Sequence, residues 1–78
     1  MARQFKSSDT DADVLDADGE RIGTIQDVKG GVAHVKPASR LSQSMRRKLG
    51  WEGEEEMYEL RSSRVDRFDD DGVHLRKI

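Results

Sequence analysis

Residues 16–28 constrain this chain more than any other stretch. Asp18-Gly19 is a tight-turn signal, because a hairpin turn of the primed type needs positive φ and glycine supplies it freely. Val14 and Leu15 precede the turn, and Ile22, Ile25 and Val28 follow it as apolar strand residues. Side chains on a flat strand alternate faces, so Ile22 and Ile25, three positions apart, point to opposite sides. A bulge at Gly23 adds one residue and returns Ile25 to the inner face. A hairpin bent in this way curls, and a curled hairpin is the start of a small barrel.

The rest of the chain reads as further strands joined by turns. Lys29-Gly30-Gly31 signals a second turn, and Val32-Ala33-His34-Val35-Lys36 follows as a strand with Ala33 and Val35 on one face. Pro37 cannot donate to a ladder and ends it. Met57-Tyr58-Glu59-Leu60 reads as a strand with Tyr58 and Leu60 sharing a face. Arg61-Ser62-Ser63 is a turn or single 3₁₀ turn. Two last strands, starting at Arg64 and Val73, are joined by the hairpin Asp69-Asp70-Asp71-Gly72; Val73 and Leu75 face in, and His74 and Arg76 face out. Residues 1–12 are polar and read as a mobile lead-in, a frayed end unless Phe5 pins it to the barrel, leaving 13–78 as the folded domain.

One segment has helical spacing. Leu41, Met45 and Leu49 recur every four residues, which predicts a short helix over about residues 39–49 with Ser39 as N-cap. Arg46, Arg47 and Lys48 fall in its last turn, where positive charge suits the helix dipole. Gly50 is placed to stop the helix, and Trp51 then occupies the position that commonly packs back on it. The predicted fold is a mainly β, SH3-like, partly closed barrel of five or six strands with this one helix as a lid.

Composition narrows the function. With 78 residues the chain is one small domain with a small core. Charged residues make up 38% and hydrophobic ones 33%, yet the net charge is only −2, so the near balance of signs gives little drive toward nucleic-acid phosphates. There is no cysteine, which excludes disulfides, thiolate zinc sites and cysteine nucleophiles. The first residues lack the apolar stretch of a signal peptide, and no run reaches membrane-spanning length. A cytoplasmic location without membrane insertion is the expectation.

At this point the residues carry a family resemblance. Residues 14–28, with Asp18-Gly19-Glu20 and Ile22-Gly23-Thr24-Ile25, resemble the opening of PRC-barrel domains. Tyr58-Glu59-Leu60, Arg64-Val65-Asp66 and Asp71-Gly72-Val73-His74-Leu75 resemble their closing half. The middle pieces, Gly31-Val32-Ala33-His34-Val35-Lys36-Pro37 and Lys48-Leu49-Gly50-Trp51, are similar to short stand-alone versions typical of salt-loving archaea. The near-neutral charge departs from the strongly acidic composition of halophilic relatives. The resemblance implies a small β-barrel without catalytic residues. Members include a domain of the photosynthetic reaction centre's H subunit and the C-terminal domain of a ribosome maturation factor. Stand-alone archaeal members are regarded as protein-interaction modules, some tied to cell division. These share no set of functional residues, so the resemblance carries none to this chain.

Candidate sites are few. Asp9, Asp11, Asp13, Asp16 and Asp18 lack the ordered Asp/Asn, Gly and terminal Glu positions of a calcium loop and read as a solvated turn. Asp69, Asp70 and Asp71 read as a hairpin tip. His34 and His74 are expected on outward faces as surface histidines, with no metal or cofactor. No Ser-His-Asp or glycine-rich phosphate motif is present, so no enzymatic activity is expected. Arg40, Arg46, Arg47 and Trp51 form the candidate interaction surface. The basic residues are a solvated helix end or a contact for an acidic partner or RNA phosphate. Trp51 is a lid over the barrel or an anchor on a partner. Gly19, Gly23 and Gly50 are structural. The expected function is a non-enzymatic protein-interaction module acting as a homodimer; the alternative is an RNA-binding or ribosome-assembly factor.

Overall fold

The computed structural model describes residues 3–53 and 55–77. Six strands form a single curled, half-barrel sheet: β1 (Asp13–Leu15), β2 (Arg21–Lys29), β3 (Val32–Pro37), β4 (Tyr58–Leu60), β5 (Val65–Asp69) and β6 (Gly72–Leu75). Their spatial order is β4-β3-β2-β1-β6-β5. A short helix α1 (Gln43–Leu49) lies between β3 and β4, and 3₁₀ turns occupy Ser7–Asp9 and Ser62–Arg64. All neighbouring strands are antiparallel except β1 and β6, which pair in parallel through Val14↔Val73 and Leu15↔His74. That parallel pair ties the C-terminal hairpin to the N-terminal half of the sheet.

The curl comes from β2, which serves β1 on one side and β3 on the other. Against β1 the register runs Val14↔Gly23 and then Leu15↔Arg21, so Ile22 is an extra residue. Against β3 it runs Ile25↔Val35 and then Asp27↔His34, so Gln26 is a second one. The sequence leads to one bulge, at Gly23; the strand has two, and the first is centred on Ile22. Each absorbs one three-residue step in the apolar spacing. Ile22 and Ile25 are both buried, and Val28 packs against the same core.

Gly23 is required beside the first bulge for space rather than for its φ. A Cβ at Gly23 would lie 2.6 Å from the Val35 Cγ1 atom and 2.7 Å from the Lys36 carbonyl oxygen. Gly72 has a similar role: a Cβ there would collide with the backbone carbonyl of Asp13, and its φ of +137° is in addition rarely adopted by other residues. Gly72 therefore permits the close approach of β6 to β1, besides ending the β5–β6 turn.

The N-terminal segment, expected as a mobile lead-in, packs on the sheet from Phe5 onward; Met1 and Ala2 lie outside the described residues. Phe5 is buried and meets Phe68 of β5 edge to face, with centroids 5.5 Å apart. Arg3 caps the same Phe68 ring, its guanidinium carbon 3.8 Å from the centroid. Arg3 also holds Asp9 through two 2.9 Å hydrogen bonds, and the Lys6 N–H donates to the Asp9 carboxylate at 2.8 Å. Asp11 and Ala12 then extend the ladder to Ile25.

Two aspartates of the acidic run are thus buried anchors, which corrects the reading of the whole run as a solvated turn. Asp9 is one. Asp16 is the other: its Oδ1 accepts the Asp18 and Glu20 N–H groups, both at 2.9 Å, and organises the turn that contains Gly19. A short carboxylate in a tight turn satisfies backbone donors that no strand can reach.

Two predictions follow from this packing. Gly23→Val should lower unfolding free energy by about 2–3 kcal/mol in a denaturant titration, because the Lys36 carbonyl cannot move aside without breaking β2–β3 pairing; a parent-like midpoint would refute the close approach. The second concerns pH. The Arg3 guanidinium, followed by the Lys6 N–H, holds the Asp9 carboxyl below its ordinary value. A carboxyl depressed on folding contributes stability that is complete above its unfolded pKa, about 3.9, and lost as pH falls through the lower folded value. Asp9→Asn should therefore be about 1 kcal/mol less stable than the parent at neutral pH, with the gap closing in acid. Asp69 is also held below its ordinary value, chiefly by the Asp70 N–H, but is common to both proteins. Urea titrations at a series of pH values measure the gap.

Candidate interaction surface

The helix and the loop after it place the residues on which an interaction reading depends. α1 starts later than its apolar spacing suggests. Leu41 N–H closes a turn onto the Ala38 carbonyl at 3.1 Å, and Ser42, not Ser39, is the N-cap, its hydroxyl accepting the Met45 N–H at 3.2 Å. Leu41 reaches the core from that turn, so its four-residue spacing to Met45 arises without its being helical. Arg40 consequently lies outside the helix.

The C-terminus of α1 follows the expected stop. Gly50 is left-handed, with φ 78°. Its N–H donates to the Arg47 carbonyl at 3.2 Å and the Trp51 N–H to the Arg46 carbonyl at 2.7 Å, the paired bonds of a Schellman motif. The motif turns the chain back so that Trp51 enters the core at 3% exposure. Its indole stacks on Tyr58 of β4, centroids 5.4 Å apart and planes 14° from parallel. The Tyr58 hydroxyl donates to the Gly53 carbonyl and accepts the Glu55 N–H at 3.3 Å, folding the acidic loop over the ring. Glu54 lies outside the described residues.

The basic residues part company. Arg46 is half-buried, with its guanidinium directed at the Trp51 carbonyl 3.5 Å away. Arg47 and Lys48 are exposed on the helix, and Arg40 is exposed in the preceding turn. The structure thus leaves Arg40 and Arg47 on the surface, directs Arg46 at the helix stop and buries Trp51 against Tyr58.

Beside Trp51 runs an open groove lined by His34, Leu49, Trp51, Met57, Tyr58 and Glu59. Met57, at its rim, is 44% exposed and the one large hydrophobic so exposed among the described residues. Alternation pairs Met57 with Glu59 on the face away from Tyr58 and Leu60, so its outward position is readable from sequence. The groove itself is not, since it depends on the loop closing over Tyr58.

The other histidine, His74, departs from expectation. Its side chain is only 12% exposed, on β6 between β1 and β5, rather than an ordinary surface group.

With this geometry in place, the comparison with known families is specific. The chain belongs to DUF8593, a family of unknown function whose match spans residues 5–75. That span includes Phe5 and Asp9, in keeping with their place in the fold. No curated protein and no solved structure matches the chain. Among the described residues no helix is long and apolar enough to cross a membrane.

Trp51→Ala tests how much this burial contributes. Truncating a buried, stacked indole should remove about 3–5 kcal/mol, a large share of what a domain this small has. Far-UV circular dichroism during thermal unfolding should show a sharply lowered Tm. An unchanged melt would mean that the Tyr58 stack contributes nothing.

Proposed function

We propose that the protein is a non-enzymatic binding module that works through protein surfaces and self-associates as a homodimer, in the manner of stand-alone PRC-barrel-like domains. The observation that carries this reading is the asymmetry of the two sheet edges. β5 is an edge blunted against pairing: its ladder to β6 shifts between Val65 and Arg67, and Asp66, Arg67 and Asp69 charge it. β4 pairs with β3 in unbroken register, Ala33↔Leu60 to Val35↔Tyr58, and presents its other side without a partner strand. Met57 and the groove lie directly beside it. An unbroken edge flanked by an apolar side chain suits addition of a strand from another chain.

RNA binding is the weaker reading. Arg40 and Arg47 supply charge, but single-strand readers add aromatic platforms on which bases stack. The four aromatics here are engaged in two internal pairs, Trp51 with Tyr58 and Phe5 with Phe68.

Sedimentation velocity over a concentration series tests the proposal. The parent should show a concentration-dependent dimer, and Met57→Glu should shift it to monomer while leaving the melt unchanged. A parent that stays monomeric throughout, but binds RNA with a steep salt dependence lost in the Arg40→Glu/Arg47→Glu double variant, would replace it with the RNA reading.

A further inference from the structure

The β5–β6 hairpin holds a second feature, independent of the β4 edge. His74 of β6 is in register with Arg67 of β5 on one side and with Leu15 of β1 on the other. Its Nε2 atom is covered from solvent and has no hydrogen-bond partner. The nearest carboxylate oxygen, Asp69 Oδ2, is 3.8 Å away, too far for a hydrogen bond. Buried polar atoms are normally satisfied, so an orphaned imidazole nitrogen facing a carboxylate calls for a physical cause. Asp71, across the turn, brings a third group: one ligand atom each from Asp69, Asp71 and His74 lies within 4.8 Å of the others.

We propose that the tip of this hairpin is a divalent-cation site formed by Asp69, Asp71 and His74. An ion between the three would take the Nε2 lone pair and one oxygen from each carboxylate. Ligand bonds of about 2.0–2.2 Å span a 3.8 Å nitrogen–oxygen separation at an open angle, and the exposed carboxylates need close only slightly to reach it. A mixed imidazole–carboxylate set suits zinc and its first-row neighbours, whereas calcium prefers oxygen alone. Three protein ligands leave coordination positions for water.

The surroundings support the arrangement. The Asp70 N–H donates to Asp69 Oδ1 at 2.7 Å, which orients that carboxylate and leaves Oδ2 for the ion. Arg67 opposes a cation, with its Nε 3.4 Å from Asp69 Oδ2. It also has Asp66 within 3.7 Å and is largely exposed, so it has an alternative partner when Asp69 turns to a metal. In the sequence these residues read as a solvated turn and a surface histidine; the β5–β6 register, which folds the Asp69–Gly72 turn back toward His74, is what brings the three together.

The test uses zinc chloride with the 78-residue chain. Titration calorimetry should give one ion per chain, and long-range ¹H–¹⁵N NMR spectra should show the His74 ring nitrogens moving while those of His34 stay fixed. Asp69→Asn and Asp71→Asn alter exposed residues at a turn and should keep the fold, which a melt checks, while weakening zinc binding about tenfold or more. His74→Gln should abolish it. The proposal is overturned if the His74 resonances do not move with zinc, including the case where they respond only to pH. It is equally overturned if both asparagine variants bind like the parent.

Discussion

The approach of the Gly23 backbone to Val35 and the Lys36 carbonyl lets β2 pair on both sides while changing direction. β2 is the longest strand, and it carries the register of β1 on one edge and β3 on the other. A flat β2 would send Ile25 to solvent and leave Ile22 alone in the core. The extra residue at Ile22 and the second at Gln26 instead bury Ile22 and Ile25 and bring Val28 against them. The same bends increase local twist, which is how a six-stranded sheet curls around its own apolar side chains. The parallel β1–β6 pair extends this curved surface to the C-terminal hairpin, and Gly72 sets how closely the two can lie.

A half-barrel still has two end strands, and each is held by an aromatic from outside the sheet. At β4 the indole of Trp51 stacks on Tyr58; at β5 the ring of Phe5 meets Phe68 edge to face, with Arg3 on its other side. These two pairs use every aromatic residue in the chain. Both clamps are delivered by a short local device. The left-handed Gly50 swings Trp51 back from the helix, and the Arg3–Asp9–Lys6 hydrogen bonds fix the segment that carries Phe5. A domain with so little core gains from locating its largest apolar surfaces at the places where strand pairing stops.

Much of this was legible in the sequence because it is local. The broken spacing of Ile22 and Ile25 required a bulge, Pro37 ended β3, and Gly50-Trp51 announced both the helix stop and the return of the indole. The errors are of two kinds. Period counting assigned Leu41 to the helix because a turn residue can reach the core at the same spacing; only the hydroxyl of Ser42, rather than that of Ser39, decides where the helix begins. Long-range placement separated residues that look alike in sequence. Asp9 and Asp16 are buried while Asp11 and Asp18 are exposed, although all stand in one acidic run. His34 and His74 both alternate with apolar neighbours on strands paired on both sides, yet only the His74 ring ends with a covered, unpartnered nitrogen, beside the carboxylates of the β5–β6 turn. At the candidate surface, Met57 was readable from alternation, but the groove beside it required knowing that the Tyr58 hydroxyl gathers the acidic loop.

The shortness of β4 limits what its edge can do alone. Three residues offer a partner strand only a few backbone hydrogen bonds, and each contributes roughly 1 kcal/mol net after water is displaced. That is less than the entropy lost when two chains associate. A strand added at β4 therefore needs apolar contact as well, and Met57 with the adjoining groove is the place on that side of the molecule able to supply it. The methionine side chain is unbranched and adapts to differently shaped surfaces. Under the proposed association such an edge would favour a partner that combines an extended backbone with one apolar side chain at the right register. It would disfavour a flat, wholly polar surface, and specificity would depend on the few residues facing Met57 and Glu59 rather than on the sheet as a whole.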